Sequence, residues 1–364
     1  MKSKIKIKTK TKLKTKLKQK KTAKPRPEKL KNIALIKSED NPLIAPIPEH
    51  NWEAWQTFNP GVILLADKVH FLYRAVGQDA ISRFGYASSD DGFSIDERLI
   101  FPVYEQRLTQ PGLNYFSLAS GGSFGGVEDC RPVRVGTEEV IYMTYTACDQ
   151  GLGVALTSIK VDDFLKKKWC WQTPVLISPP GEVHKNWVIF PEKINGQYAI
   201  LHSLSPQIMI AYRDSLVFKT GEYIQSFYDG TNNSGGWESR IRGIGPAPIK
   251  TEYGWLLLYH GLDKLDPGKY KVGVMLLDLV HPEKVLMRFH EPILEPDEIL
   301  QQNGFKPGVV YASGAVVKNG QILIYYGAAD SYVCLAYADF DEFMAAITAE
   351  IKPHLKYGLL KKIK

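Results

Sequence analysis

Apolar positions along this chain come in short runs of β-branched and aromatic residues, each stopped by Gly, Asn, Asp or Pro, and helical spacing is scarce. One pattern occurs five times: an apolar strand, a polar turn, and a second strand ending on an aromatic residue or His. The copies are VILLADKVHFLYRA, PVRVGTEEVIYMTYTA, FPEKINGQYAILHS, APIKTEYGWLLLYHG and AVVKNGQILIYYGA. Their strand-end residues, Tyr73, Tyr145, His202, Tyr259 and Tyr326, are separated by 72, 57, 57 and 67 residues. Each hairpin is followed by a further apolar run: FGYASS, LGVALTS, IMIAYRDSL, VGVMLLDL and VCLAYADF. Units of about 60 residues with at least three strands apiece predict an all-β chain folded as a five-bladed β-propeller. A pair of β-sandwiches is the alternative, and the joint recurrence of turn chemistry and strand-end residue favours the propeller. Only DEFMAAITAE and DEILQQ read as helical.

Composition refines this picture at the N-terminus. The net charge of +7 suggests nucleic acid at first sight, but residues 1–32 hold 14 Lys and Arg26 against Glu28 alone, a local +14. The remaining 31 basic and 38 acidic residues leave the body at −7. The Lys-alternating tract predicts a disordered basic tail over 1–31, since like charges on one strand face repel, with an anionic partner as its candidate ligand. Folded structure is expected from about Asn32, so 32–364 is read as the propeller. No secretory signal or membrane span is apparent, and Cys130, Cys148, Cys170 and Cys334 lack metal or disulfide spacing, which fits a reducing, cytoplasmic setting.

The stretch richest in candidate chemistry is GGVEDCR, Gly125 to Arg131. Glu128 and Asp129 are adjacent carboxylates beside a guanidinium, behind glycines that let a ligand approach the backbone. Such a group has opposing influences on its protonation, as proton-transferring sites do, although a surface ion pair has the same composition. Propellers gather ligand contacts at the channel mouth, so Arg74, Thr146, Ser203, His260 and Gly327, each following a recurrent strand-end residue, are expected to converge there with Asp330.

At these residues the chain resembles glycoside hydrolase family 130, the β-mannoside phosphorylases and related β-mannosidases. The motifs are FNPG with LYRA, GGVEDCR (the family usually has Pro at Cys130), KNWVIFPEKINGQYAILH, GIGPAPIKTEYGWLLLYHG, LLDLVHPEKVL with EPILEP, and SGAVVKNGQILIYYGAAD. The resemblance implies a five-bladed propeller and an inverting enzyme with Asp129 as proton donor, acting through the sugar's own 3-hydroxyl. It also implies that Asn59, Arg74 and Asp330 hold the sugar in the −1 subsite, with Glu128 and Arg131, flanking the acid, as further substrate-binding residues. A blade-to-blade ion pair for Arg74 and a turn-forming role for Asp330 are the structural alternatives.

The nucleophile divides the possibilities. Phosphorolysis needs a cationic cradle for an anion already able to attack, and Lys185, Asn186 and His260 match cradle positions. Two further family cations are replaced by Ser203 and, by simple counting, Ile241, unless Arg240 or Arg242 substitutes. Each charged hydrogen bond contributes about 1.5–3 kcal/mol, so two losses weaken anion binding substantially. Hydrolysis instead needs a second carboxylate roughly 6.5–9.5 Å from the acid. Glu238 in GGWESR is the first candidate and Glu192 the second, the latter also suited to fixing Lys193; Trp52, Trp55, Trp187 and Trp237 are candidate sugar platforms. On this basis the sequence is read as an inverting β-mannoside hydrolase of oligosaccharides. The alternatives are a phosphorylase with inorganic phosphate as co-substrate and a non-catalytic sugar-binding propeller. No cofactor or metal is required by any of the three.

Overall fold

The computed structural model describes residues 35–106, 114–149, 151–230, 235–296 and 299–349. The basic tail therefore lies outside the described residues. The fold is mostly β. A short β1 (Ile36–Lys37) precedes a meander of β2 (Gln56–Leu65), β3 (Lys68–Val76), β4 (Ile81–Ser89) and β5 (Glu97–Arg98). Helix α1 (Tyr115–Gly121) leads into β6 (Gly125–Arg134), β7 (Val140–Cys148), β8 (Gly153–Lys160), helix α2 (Val161–Leu165) and β9 (Val175–Leu176). Next come β10 (Val188–Ile189), β11 (Tyr198–Ser203) and β12 (Met209–Arg213). A single 3₁₀ turn, Gly236–Glu238, opens the next group: β13 (Arg240–Ile244), β14 (Ile249–Thr251), β15 (Gly254–Asp263), β16 (Asp266–Leu277) and β17 (Val285–Arg288). After α3 (Ile299–Gln302), β18 (Val310–Lys318), β19 (Gln321–Ala328), β20 (Tyr332–Asp339) and α4 (Phe340–Thr348) complete the described chain.

These strands form four sheets. β2 to β9 make one, and its two antiparallel halves are joined by the parallel pairs Ile81 with Gly125 and Ser82 with Gly126. β10 to β12 and β13 to β17 make the second and third, and β1 joins β18 to β20 by pairing with β20. The recurrent hairpins of the sequence are therefore present as hairpins. Their tips explain why: Ala66 and Asp67, Asn195 and Gly196, and Asn319 and Gly320 all take positive φ, the backbone a two-residue primed turn needs. Of the two segments read as helical, DEFMAAITAE contains most of α4, whereas DEILQQ is helical over Ile299–Gln302. Helices α1 and α2 are additional.

Five hydrophobic clusters pack between the strand groups. One joins β2–β4 to β6–β8, a second β6 and β8 to β10–β11, a third β10–β11 to β13–β16, and a fourth β15–β16 to β18–β20 with α4. The fifth joins β18–β20 back to β2–β4. Strands between two clusters are apolar on both faces. Thus Ile322, Ile324 and Tyr326 of β19 enter the fourth cluster while Leu323 and Tyr325 enter the fifth. Period-two alternation with both faces buried gives the unbroken apolar runs ILIYY and WLLLY.

Candidate active site

The site is built from interruptions of the sheets. Pairing slips between Phe58 and Gly61 in β2, Glu128 and Arg131 in β6, Leu201 and Ser203 in β11, and Ile241 and Gly243 in β13. Each β-bulge frees a side chain from the alternation and re-aims it. The residues so released include Asn59, Asp129, His202 and Arg242, and all four line one cavity of about 650 Å³. Asn59 and Asp129 take φ of 44° and 51°, and Asn186 and Asp330, also on the cavity wall, 63° and 50°. Asn and Asp are the side chains that best tolerate this left-handed backbone.

Asp129 is fixed from two sides. Asn59 donates from Nδ2 to its Oδ1 at 2.9 Å, and Arg74 Nη1 lies 3.4 Å from the same oxygen. Both contacts fall on one carboxylate oxygen, and the residue lines the cavity wall. Glu128 has the opposite environment. It is fully buried and receives Arg74 Nη2 at 3.0 Å, Ser117 Oγ at 3.2 Å and Ser120 Oγ at 2.8 Å, with Lys185 Nζ 3.0 Å away. Burial alone would raise its pKa, but Arg74 and Lys185 outweigh burial and hold the carboxyl well below its usual range. Glu128 is an ionised anchor; Asp129 is the carboxyl that lines the cavity. Arg74 is itself oriented by Ser82, whose hydroxyl accepts from Nε at 2.9 Å and donates to the Val127 carbonyl at 2.6 Å across the parallel joint.

Arg131 does not touch either carboxylate. Its guanidinium donates to the carbonyls of Gly245 at 2.7 Å and Asp129 at 2.6 Å, and it lies behind the cavity as a backbone brace. His260 is also behind the wall, fully buried and stacked on Tyr311 at 3.9 Å between ring centres, with its pKa lowered to about 3 by burial and then by Arg131. Tyr311 reaches the cavity and donates to Asn186 Oδ1 at 2.6 Å. Lys185 lines the cavity beside Asn186, its ammonium bonded to the Ser120 hydroxyl as well as paired with Glu128.

Ser203 lines the wall, with its hydroxyl donated to the Phe227 carbonyl at 2.8 Å. Ile241 is core. The next residue, Arg242, is brought to the wall by the β13 bulge, 5.2 Å over the Tyr270 ring and with its Nε unpartnered among the described residues. Glu238 does not line the cavity: it is buried, accepts from the Tyr259 hydroxyl and sits 3.8 Å from Arg288. Glu192 is on the surface and pairs with Lys250, not Lys193. Trp187 borders the cavity edge-on to His184, whereas Trp52 bonds to the Ile100 carbonyl and Trp237 stacks on Tyr259 outside it; Trp55 is a surface residue.

Three wall residues, His184, His202 and Lys306, are not among the site candidates of the sequence, although His202 is one of its recurrent strand-end residues. His184 and His202 flank Trp187, and burial followed by the neighbouring His184 lowers the pKa of His202 to about 4. Lys306 reaches from the loop before β18 to the carbonyls of Ala119 and Ser120 at 2.8 and 2.6 Å. Among the described residues, no group of three or more His, Cys, Asp or Glu side chains is arranged to hold a metal ion, and no helix is long and apolar enough to cross a membrane.

Comparison with known proteins places this geometry in context. A family model described as beta-1,4-mannooligosaccharide phosphorylase, of glycoside hydrolase family 130, matches residues 18–349. Among curated relatives, a beta-1,2-mannobiose phosphorylase of Thermoanaerobacter sp. (strain X514) is 36% identical over 317 residues, covering 83% of this chain and 96% of its own. A 1,2-beta-oligomannan phosphorylase of the same strain is 35% identical, covering 84% and 97%. Among solved structures, the beta-1,2-mannobiose phosphorylase of Listeria innocua in complex with beta-1,2-mannobiose superposes with a TM-score of 0.65 at 27% identity, covering 87% of this chain and 99% of that one.

Proposed function

This chain belongs to glycoside hydrolase family 130, and from that premise we propose that it is an inverting β-mannoside phosphorylase, cleaving β-mannosides with inorganic phosphate to release α-mannose 1-phosphate. The observation that carries the choice of nucleophile is the cationic wall facing Asp129. Lys185, Asn186 and Arg242 line the same cavity as Asp129, and the Arg242 Nε has no partner among the described residues. A cradle of this kind binds an anion by charge-assisted hydrogen bonds and needs no base. Hydrolysis is less well supported, because Glu238, its candidate base, is turned to Tyr259 and Arg288 and Glu192 to Lys250. Arg242 also answers the cation deficit that simple counting assigns to Ile241.

In this reading Asp129 gives the proton, and Asn59 and Arg74 hold it through one oxygen with the carboxyl on the cavity wall. Asp330 accepts from sugar hydroxyls. The relatives' names favour β-1,2-linked mannosides as first substrates. The cyclic order of the five hydrophobic clusters, with β1 completing the last group against β20, supports reading the strand groups as five propeller blades around the cavity. Initial rates on β-1,2- and β-1,4-mannobiose across a range of phosphate concentrations test the proposal. Saturable dependence on phosphate is expected; a rate indifferent to phosphate overturns it.

A further inference from the structure

Lys306 stands where the two halves of this site meet. Its ammonium donates to the carbonyls of Ala119 and Ser120 at the C-terminal end of α1, and lies 3.4 Å from Asp330 Oδ2. Ser120 then reaches the other way: its hydroxyl donates to Glu128 at 2.8 Å and receives the Lys185 ammonium. One residue of α1 thus touches the sugar-side cation through its carbonyl and the anion-side cation through its hydroxyl. The C-terminal end of a helix carries partial negative charge, so an ammonium is well placed there.

We propose that Lys306 is a positioning residue that couples the sugar-binding carboxylate Asp330 to the phosphate-side Lys185 through Ser120. The proposal rests on the phosphorylase reading for the identity of the anion, and on geometry alone for the linkage. Lys306 keeps Asp330 an acceptor. The charged groups facing Asp330 are Lys306, Arg74 and Asp129; burial raises the Asp330 pKa, and Lys306 is the strongest influence opposing that rise. Lys306 itself is pulled below its ordinary value, first by burial, and Asp330 is the strongest influence opposing that fall. Losing the ammonium frees the end of α1, and with it the Ser120 hydroxyl that positions Lys185.

The test uses Lys306→Met and Lys306→Arg in the full chain, with thermal melts to confirm folding, and Lys306→Gln as the neutral variant if Met does not fold. Steady-state constants are measured for β-1,2-mannobiose and phosphate. Mannobiose binding is measured calorimetrically between pH 5 and 8 without phosphate. The neutral variant is expected to raise both KM values roughly tenfold, with kcat changed less, and to bind mannobiose progressively better as pH rises, its acid limb displaced upward by roughly 1–3 pH units. Arg should restore most of the loss. A neutral variant that loses kcat with both KM values and the pH profile of binding unchanged overturns the proposal. Because the binding titration contains no phosphate, it judges the Lys306 linkage even if turnover proves independent of phosphate.

Discussion

The division of labour between two neighbouring carboxyls is the central feature at the residue scale. Glu128 and Asp129 share Arg74, yet only Glu128 also receives two serine hydroxyls and an ammonium. Replacing Asp129 with Asn keeps the hydrogen-bonding shape but removes the proton, so activity should fall by about 10²–10⁴-fold while mannobiose affinity stays within a few-fold. Arg242→Met should raise the KM for phosphate by about 10- to 100-fold, the value of one charged hydrogen bond, and leave the KM for mannoside nearly unchanged. Initial-rate measurements on each variant check both expectations. The adjacency of Glu128 and Asp129 was visible in the sequence, but not which one faces substrate, because that depends on serines of α1 and on a lysine more than fifty residues away.

At the scale of elements, the bulges explain both what could be read and what could not. Hairpins were legible because their cause is local: short polar turns at the tips, two of them Asn-Gly, and period-two alternation along the strands. A bulge is a mismatch between two strands, so one strand's sequence does not display it. That is why counting arrives at the core residue Ile241, when the side chain on the cavity wall is Arg242. Helix α1, YFSLASG, escaped notice for a similar reason, since its Ser117 and Ser120 face a buried carboxylate and not an apolar core. A tight contact also tests the β2 bulge. A Cβ on Gly327 would come within 2.0 Å of Asn59 Oδ1. Gly327→Ala should therefore expel Asn59 from Asp129 and lower kcat at least as much as Asn59→Ala does, a comparison that kinetics on the two variants decides.

For the molecule as a whole, five clusters in cyclic order distribute stability around the chain, and buried titratable groups set its response to pH. His202 and His260 have folded pKa values of about 4 and about 3, below the ordinary 6.5, so the unfolded chain takes up protons first. Their contribution is fully present above pH 6.5 and declines as pH falls from there toward 4 and 3. Glu128, also depressed, adds a loss that begins below its ordinary 4.5. The urea midpoint should therefore fall steadily below about pH 6.5, and His260→Phe should flatten that slope. The legible part at this scale was the strand repeat; the order in which the repeats pack depended on contacts between distant segments.

The most direct test of the account follows the phosphorus and sugar together. With β-1,2-mannobiose and phosphate, ³¹P and ¹H NMR should show one α-mannose 1-phosphate formed for each glycosidic bond broken, and no cleavage in phosphate-free buffer. Two free mannoses per mannobiose, released at the same rate without phosphate, would contradict it.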